Sequence, residues 1–273
     1  MSPRLESTPP LAELRRRYVE QARPLPAHLE ALLREDERAA ARGLLAAIER
    51  RRHANRSEGQ RLRSMLRFET GLWGRGVLRV AGVDEAGMSP LAGPVAAAAV
   101  IFAPGTRIAD VDDCKRLDVA TRERLAPIIR TRAVAFAVAF VEPEEIDRLN
   151  IYWAGVEAMK RALAGLALVP EHILIDGPGR GLKDLEVSHQ GIVGGDQQSL
   201  SIAAASILAK TARDARMRQL DVLYPGYGLA KHKGYPVKEH VDALNRLGPS
   251  PVHRRSFAPV REAAEIKAKL SSR

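Results

Sequence analysis

The stretch Leu78 to Val95, LRVAGVDEAGMSPLAGPV, constrains the chain more than any other. An apolar run that reads as a buried strand stops at two adjacent acids, Asp84 and Glu85. Gly87, Pro90, Gly93 and Pro94 follow before a second apolar run begins. Strand side chains alternate faces, so neighbouring carboxylates can serve one site only where the strand frays into a turn, which Gly87 allows. The alternative is a pair of acids that merely opens a polar loop.

Before this stretch the pattern is helical. Residues 1 to about 70 are rich in Ala, Leu, Arg and Glu, with prolines at 9, 10, 24 and 26 as punctuation. Leu29, Leu32 and Leu33, then Leu44, Leu45 and Ile48, recur at helical spacing. A basic α-helical extension is therefore expected over residues 1–75. Its arginines, among them Arg15 to Arg17 and Arg50 to Arg52, fit either a nucleic-acid groove or a solvated helix face laced with glutamates.

After it the pattern is layered. LRVAGVD and PVAAAAVIF read as consecutive strands, ATRERLAPIIR as a short helix, and AVAFAVAFV as a third strand. EEIDRLNIYWAGVEAMKRALAGL reads as one helix with Pro143 near its first turn, and HILIDG as a short buried strand. VSHQGIVGGD is a loop with some strand character. SLSIAAASILAKTARDARMRQLDVL is a long helix, and PVKEHVDALNRLG a helix started by Pro236 and stopped by Gly248. This order predicts an α/β fold with a mixed central sheet flanked by helices over residues 76–273.

Composition bounds the rest. In 273 residues, 45% hydrophobic content suffices for a core without covalent staples. The single cysteine, Cys114, excludes an intramolecular disulfide and any cysteine-rich zinc site, which fits a cytoplasmic location. The N-terminus MSPRLESTPP has no apolar export segment, and no stretch is long enough to span a membrane. A formal charge of +10 points to a polyanionic partner, because Lys and Arg that neutralise phosphates release counterions.

The segments GVDEAG, PLAGPV, ILIDG, GGDQQSLSIAAASILAK, RD and YGLAKHKGYP occur in that order, and together they resemble the ribonuclease HII family. The resemblance runs from about Val80 to Val260, with the first seventy or so residues outside it. It implies a ribonuclease H-like fold. The activity it implies is endonucleolytic hydrolysis of RNA in RNA–DNA hybrids, leaving 3′-hydroxyl and 5′-phosphate ends, and extending to DNA that contains ribonucleotides. A monomer is expected.

Four carboxylates carry the expected chemistry: Asp84, Glu85, Asp176 at the end of HILID, and Asp196 before the long helix. Singly, Asp176 also suits a turn and Asp196 a helix N-cap. As a set they would repel and raise one another's pKa unless a cation sat among them, and oxygen-only ligation suits Mg²⁺ or Mn²⁺. The matching positions hold the catalytic metals in the family.

The resemblance also implies substrate contacts. Lys115, in DDCKRL, is a phosphate contact, with Cys114 and Arg116 in place of the usual Ser and Lys. Tyr235 matches a tyrosine that stacks on a sugar at the cleavage site, and its residue type also fits a half-buried core position. Ser201 and Ser206 match small positions read as close packing. Gly87, Met88 and Ser89 match the family's G-R-G, with Met88 and Ser89 as departures, and Gly194 stands where Lys is common. The alternatives are a non-catalytic nucleic-acid-binding protein of this fold, or a nuclease of altered specificity.

Overall fold

The computed structural model describes residues 9–271; residues 1–8, read above for an export signal, lie outside them. The chain divides into two compact units, residues 1–61 and 62–273. In the first, α1 (Leu11–Arg15), a π-helical turn (Arg16–Glu20), α2 (Ala27–Glu35) and the N-terminal part of α3 (Ala39–Met65) enclose Leu14, Tyr18, Leu29, Leu33, Leu44 and Ile48. The division falls earlier than the expected one near residue 75. Leu62 and Met65 of α3, Leu66 at the N-cap of α4 (Arg67–Trp73) and Leu72 within α4 pack into the cores of the larger unit, so hydrophobic burial assigns them there.

The larger unit is built on a five-stranded sheet of order β3-β2-β1-β4-β5. The strands β1 (Val80–Ala86), β2 (Val95–Phe102) and β3 (Ala133–Val141) form an antiparallel meander. The strands β4 (His172–Asp176) and β5 (His189–Ile192) extend it in parallel on the other side of β1. Helices cover both faces. On β2, Ala98, Val100 and Phe102 enter the core shared with α5 (Val119–Arg132) and α8 (Leu200–Leu223). The alternate residues Ala97, Ala99 and Ile101 enter the core shared with α7 (Ile151–Ala164). Burial on both faces is why this strand reads as an unbroken apolar run.

The predicted single helix after β3 is two. A first helix, α6 (Pro143–Leu149), ends at Asn150, whose φ of 68° breaks the ladder, and the Asn150 side chain then accepts from the Trp153 N–H to cap α7. Beyond α8 lie α9 (Leu229–His232), α10 (Lys238–Leu247) and α11 (Ala258–Ser271). The strand character of VSHQGIVGGD resolves as β5. In α10 the N-cap is Val237, one residue after Pro236.

The long helix α8 is seated very close to the sheet. A Cβ on Gly82 would lie 2.2 Å from the Ser201 carbonyl carbon, so only glycine admits this approach. The N-terminus of α8 receives the buried carboxylate of Glu69 from α4, which accepts from the Ser201 N–H at 3.0 Å and from the hydroxyls of Ser199 (2.6 Å) and Ser201. An anion there is favoured by the helix dipole and the free N–H groups. Ser199, not Asp196, is the N-cap of α8.

Candidate active site

The strand β1 continues through both acids. It remains paired with β2 at Asp84–Ala98 and Glu85–Ala97, so the expected fraying into a turn does not occur before Ala86. The pairing with β4, in contrast, ends at Val83–Ile175. The acids therefore stand where two parallel strands part at their carboxyl ends, the usual place for a crevice in a layered α/β fold. Asp176, the last residue of β4, stands at the same parting.

Successive strand residues face opposite ways. Asp84 is buried and points towards α8, where the Ser206 hydroxyl bonds to it, while the Glu85 stem lies near Gly155 of α7. Asp84 Oδ1 also accepts from the Glu85 N–H at 2.8 Å. Asp176 Oδ1 accepts from the Gly195 N–H at 2.7 Å, and this tie holds the 3₁₀ turn Gly195–Gln197, with Asp196 in it, against the end of β4. Asp196 is buried and its Oδ2 lies 3.4 Å from Lys115 Nζ.

Three of the four acids are shifted in the same direction. Burial raises Asp84 well above the usual carboxylate range, and the charges of Glu85 and Asp176 add to it. Burial, then Asp176, raises Glu85, and burial, Asp176 and Asp113 raise Asp196 against the pull of Lys115. The Lys115 ammonium is drawn down by burial but held above its ordinary value by Asp196, Asp113 and Asp84. With 78% of its side chain exposed, Lys115 is a weakly fixed counter-charge for so many carboxylates. Among the described residues no three His, Cys, Asp or Glu side chains converge closely enough to hold a metal ion as they stand.

One cavity of about 280 Å³ is lined by Asp84, Glu85 and Asp176 together with Gly87, Met88, Ser89, Lys115 and Tyr235. Every substrate contact named from the sequence thus borders the acids. Asp196 is not in its wall and joins the group through Lys115 and Asp176. Cys114, Arg122, Ser206 and Lys210 complete the lining. A second, mostly apolar cavity of about 150 Å³ adjoins it, bordered by Glu85, Met88, Tyr152, Val156 and Asp176.

The loop after β1 turns at Gly87, whose φ is 96° and whose missing Cβ leaves room for the Arg213 guanidinium. Ser89 is not among the residues with positive φ, so replacing a glycine there costs the backbone nothing. The Met88 side chain packs on Gly155 of α7. Gly194 adopts a left-handed conformation, φ 66°, at the start of the 3₁₀ turn.

Two buried arginines, unassigned by the sequence reading, hold this loop by its carbonyls. Arg213 donates to Pro94, Ala92 and Lys233 at 2.9–3.1 Å, and Arg254 to Gly93, Met88 and Gly87 at 2.6–3.1 Å. Burial depresses both, Arg213 to about 10 and Arg254, with Arg213 adding to the effect, to about 9. Arg213 was visible in the RD motif, but without a role. Arg122 holds the other side of the cavity by donating to the carbonyls of Cys114 (2.8 Å) and Leu117. Ser206, read as packing, is a partner of Asp84. Nothing local in the sequence pairs these residues with distant carbonyls.

A family model for ribonuclease HII matches residues 81–260, two thirds of the chain. The chain belongs to the ribonuclease HII family. It is 56% identical over 253 residues to a ribonuclease HII of Anaeromyxobacter sp. (strain Fw109-5), covering 93% of this chain and 80% of that protein. To a ribonuclease HII of Myxococcus xanthus (strain DK1622) it is 55% identical over 254 residues, 93% of this chain and 86% of the other. The fold is similar to the crystal structure of the ribonuclease H2 from Pyrococcus horikoshii OT3, with a TM-score of 0.61 and 26% identity over 70% of this chain and 100% of that one. Membership makes the chain a ribonuclease H endoribonuclease. A model for the ribonuclease HII N-terminal domain matches residues 16–73, so the helical segment expected to lie outside the resemblance is also a family element. Among the described residues no helix is long and apolar enough to cross a membrane.

Proposed function

We propose that this ribonuclease HII cuts the RNA strand of RNA–DNA hybrids at the cavity between β1 and β4, with Asp84, Glu85, Asp176 and Asp196 holding two divalent cations, Mg²⁺ or Mn²⁺. The observation that carries the reading is the gathering of these acids where β1 and β4 part: Asp84, Glu85 and Asp176 line one cavity, and Asp196 is held beside Asp176. Burial and mutual repulsion raise three of them, and an oxygen-only donor set fits a hard divalent cation. When bound, such ions supply activation of a water and stabilisation of the leaving oxygen. The products are a 3′-hydroxyl and a 5′-phosphate.

The protein's own groups orient the substrate. Lys115, exposed at the cavity rim, meets a phosphate of the bound strand, and Arg122 keeps the Lys115 loop in place. Tyr235, 38% exposed, offers its ring to a sugar at the junction. The backbone of Gly87 to Ser89 lies close to the 2′-hydroxyl, which distinguishes ribose from deoxyribose. Met88 brings no cation to this loop, so discrimination of a single ribonucleotide within DNA rests on the backbone and on Tyr235.

Labelled duplexes carrying none, one or several ribonucleotides, incubated with Mg²⁺ or Mn²⁺, test the reading. Cleavage confined to ribonucleotide-bearing strands and abolished by chelation is expected. Binding without cleavage under all these conditions would contradict it and favour a nucleic-acid-binding protein of the same fold.

A further inference from the structure

Beneath Tyr235 lies a group of histidines that the chemistry above does not use. His240 and His253 are fully buried, their Nε2 atoms 3.2 Å apart. His232 stacks on His240 with ring centroids 4.4 Å apart, and Tyr227 lies against His253 at 4.7 Å. The protons in this group are fixed by its ends. The Ser250 N–H can only donate, and it meets His253 Nδ1 at 3.1 Å, so Nδ1 accepts, the Ser250 hydroxyl at 2.8 Å donates to the same atom, and the proton of the neutral ring sits on Nε2. His253 Nε2–H then donates to His240 Nε2, which leaves the His240 proton on Nδ1. That atom is 2.9 Å from the Tyr235 carbonyl oxygen and donates to it.

We propose that Ser250, His253 and His240 form a one-directional hydrogen-bond relay, and that His240 and His253 are positioning residues which set the Tyr235 ring against the substrate sugar. The proposal rests on the assignment of Tyr235 to that sugar. The rest of the Tyr235 peptide is tied equally firmly: its N–H donates to the His232 carbonyl at 3.0 Å, and the Gly234 carbonyl accepts from the Leu91 N–H at 2.8 Å. The same short segment reaches the other side of the cavity. Arg254, next to His253, grips Gly87, Met88 and Gly93, so one stretch from Ser250 to Arg254 sets both the loop and the tyrosine.

The relay works only with neutral rings. A second proton on His253 would oppose the Ser250 N–H, and one on His240 Nε2 would oppose His253 Nε2–H. Burial pushes His253 down to about 4, with His240, Arg255 and His232 pushing the same way against the Ser250 backbone, and burial lowers His240 too, with His232 adding to it and the bond to Tyr235 opposing it. Burial thus favours the neutral ring at both positions.

A two-background comparison tests this. An Asn at position 240 keeps an amide N–H where Nδ1–H stands, whereas Leu keeps only volume. His240→Leu is expected to raise KM for a duplex with one ribonucleotide about tenfold, the scale of one lost buried hydrogen bond, with kcat little changed, and His240→Asn to recover most of it. In a Tyr235→Ala background, His240→Leu should add nothing. An equal further loss in that background would overturn the relay's role. If Tyr235→Ala alone behaves as the parent, it is the reading of Tyr235 that fails. The tautomers are read independently on the unmodified protein by ¹⁵N NMR of the imidazoles. Protons on His253 Nε2 and His240 Nδ1 are expected, and the opposite pair would overturn the proposal even if His240→Leu did not fold.

Discussion

Glu30 and Asp84 show two opposite ways of placing a carboxylate. Glu30, in the N-terminal unit, accepts from Arg34 at 2.9 Å and from Arg52 at 2.6 Å, and these bonds hold its pKa below the usual range. Asp84, in the larger unit, is buried beside two further acids, and its pKa is raised. The arginines divide in the same way. Arg52 meets a carboxylate in a partly exposed pair, whereas Arg254 is buried and its hydrogen bonds go to carbonyls. At Glu30 the charge is neutralised within the fold, by pairs near the surface that contribute little. At Asp84 and at Arg254 charge of either sign is buried without an ion-pair partner beside a cavity. That is how a protein reserves electrostatic free energy for a ligand rather than for its own stability.

The largest expected effect lies with the unneutralised acids. Asp84→Asn should lower hybrid cleavage by about three orders of magnitude or more while the protein stays folded, since shape is kept and ligand charge is not. Near-parental cleavage would end the assignment of Asp84. Next comes the contrast between the arginines. Arg254→Met leaves three carbonyls without their donor and should lower unfolding free energy by about 3 kcal/mol or more, read from urea titrations. Arg52→Met, on a partly exposed pair, should shift the midpoint far less. Equal losses would erase the distinction drawn between the units.

The loop is subtler. Met88→Arg with Ser89→Gly should improve cleavage of a lone ribonucleotide relative to an RNA tract, measured on matched duplexes at one salt concentration. Because Ser89 already has an ordinary φ, the gain should come from Met88→Arg, and Ser89→Gly alone should change little. Equal ratios in parent and double variant would make the departure functionally silent. The smallest effect belongs to the N-terminal helices. Arg51 is engaged with the carbonyls of Tyr18, Val19 and Arg23, and Arg52 with Glu30, so the arginine run is largely structural. Arg50 and Arg56 are exposed, and replacing each with Gln should flatten the salt dependence of hybrid binding by about one unit of slope per lost phosphate contact. A deletion made for the same purpose must stop at Arg61, because Leu62, Met65 and Glu69 belong to the larger unit.

The strands were legible because β2 carries its burial in its composition and β3 reads as a strand although Val134 and Phe136 are exposed, and the order of elements followed from turn residues such as Pro143 and Gly248. Asn150 was missed as a break because the apolar spacing continues on both sides of it, and only its left-handed backbone separates α6 from α7. The acids could be picked out from strand ends, but their facing could not. A strand that continues to Ala86 places Asp84 and Glu85 on opposite sides, which depends on pairing with β2 and not on local sequence. The α11 helix was not resolved as a separate element. Arg213, Arg254 and the histidine relay were illegible for another reason: their partners are backbone carbonyls and rings brought near by tertiary packing, and no spacing rule encodes those.

The central claim, that the buried acids are arranged for divalent cations, is tested most directly by thermal unfolding of the parent and of Asp84→Asn with a chelator and then with Mg²⁺ or Mn²⁺. A carboxyl whose pKa is higher in the folded than in the unfolded protein destabilises the fold once pH rises above its unfolded value, because the ionised form is then disfavoured only in the native state. Under chelation Asp84→Asn should therefore melt higher than the parent at neutral pH, and the gap should begin to narrow once pH falls below the raised pKa of folded Asp84 and close near the ordinary carboxylate value. Added Mg²⁺ or Mn²⁺ should raise the parent's Tm and raise that of Asp84→Asn less, because a ligand that binds only the folded state stabilises it by mass action. A parent Tm that does not move with either ion, together with an Asp84→Asn protein no more stable than the parent, would contradict the account.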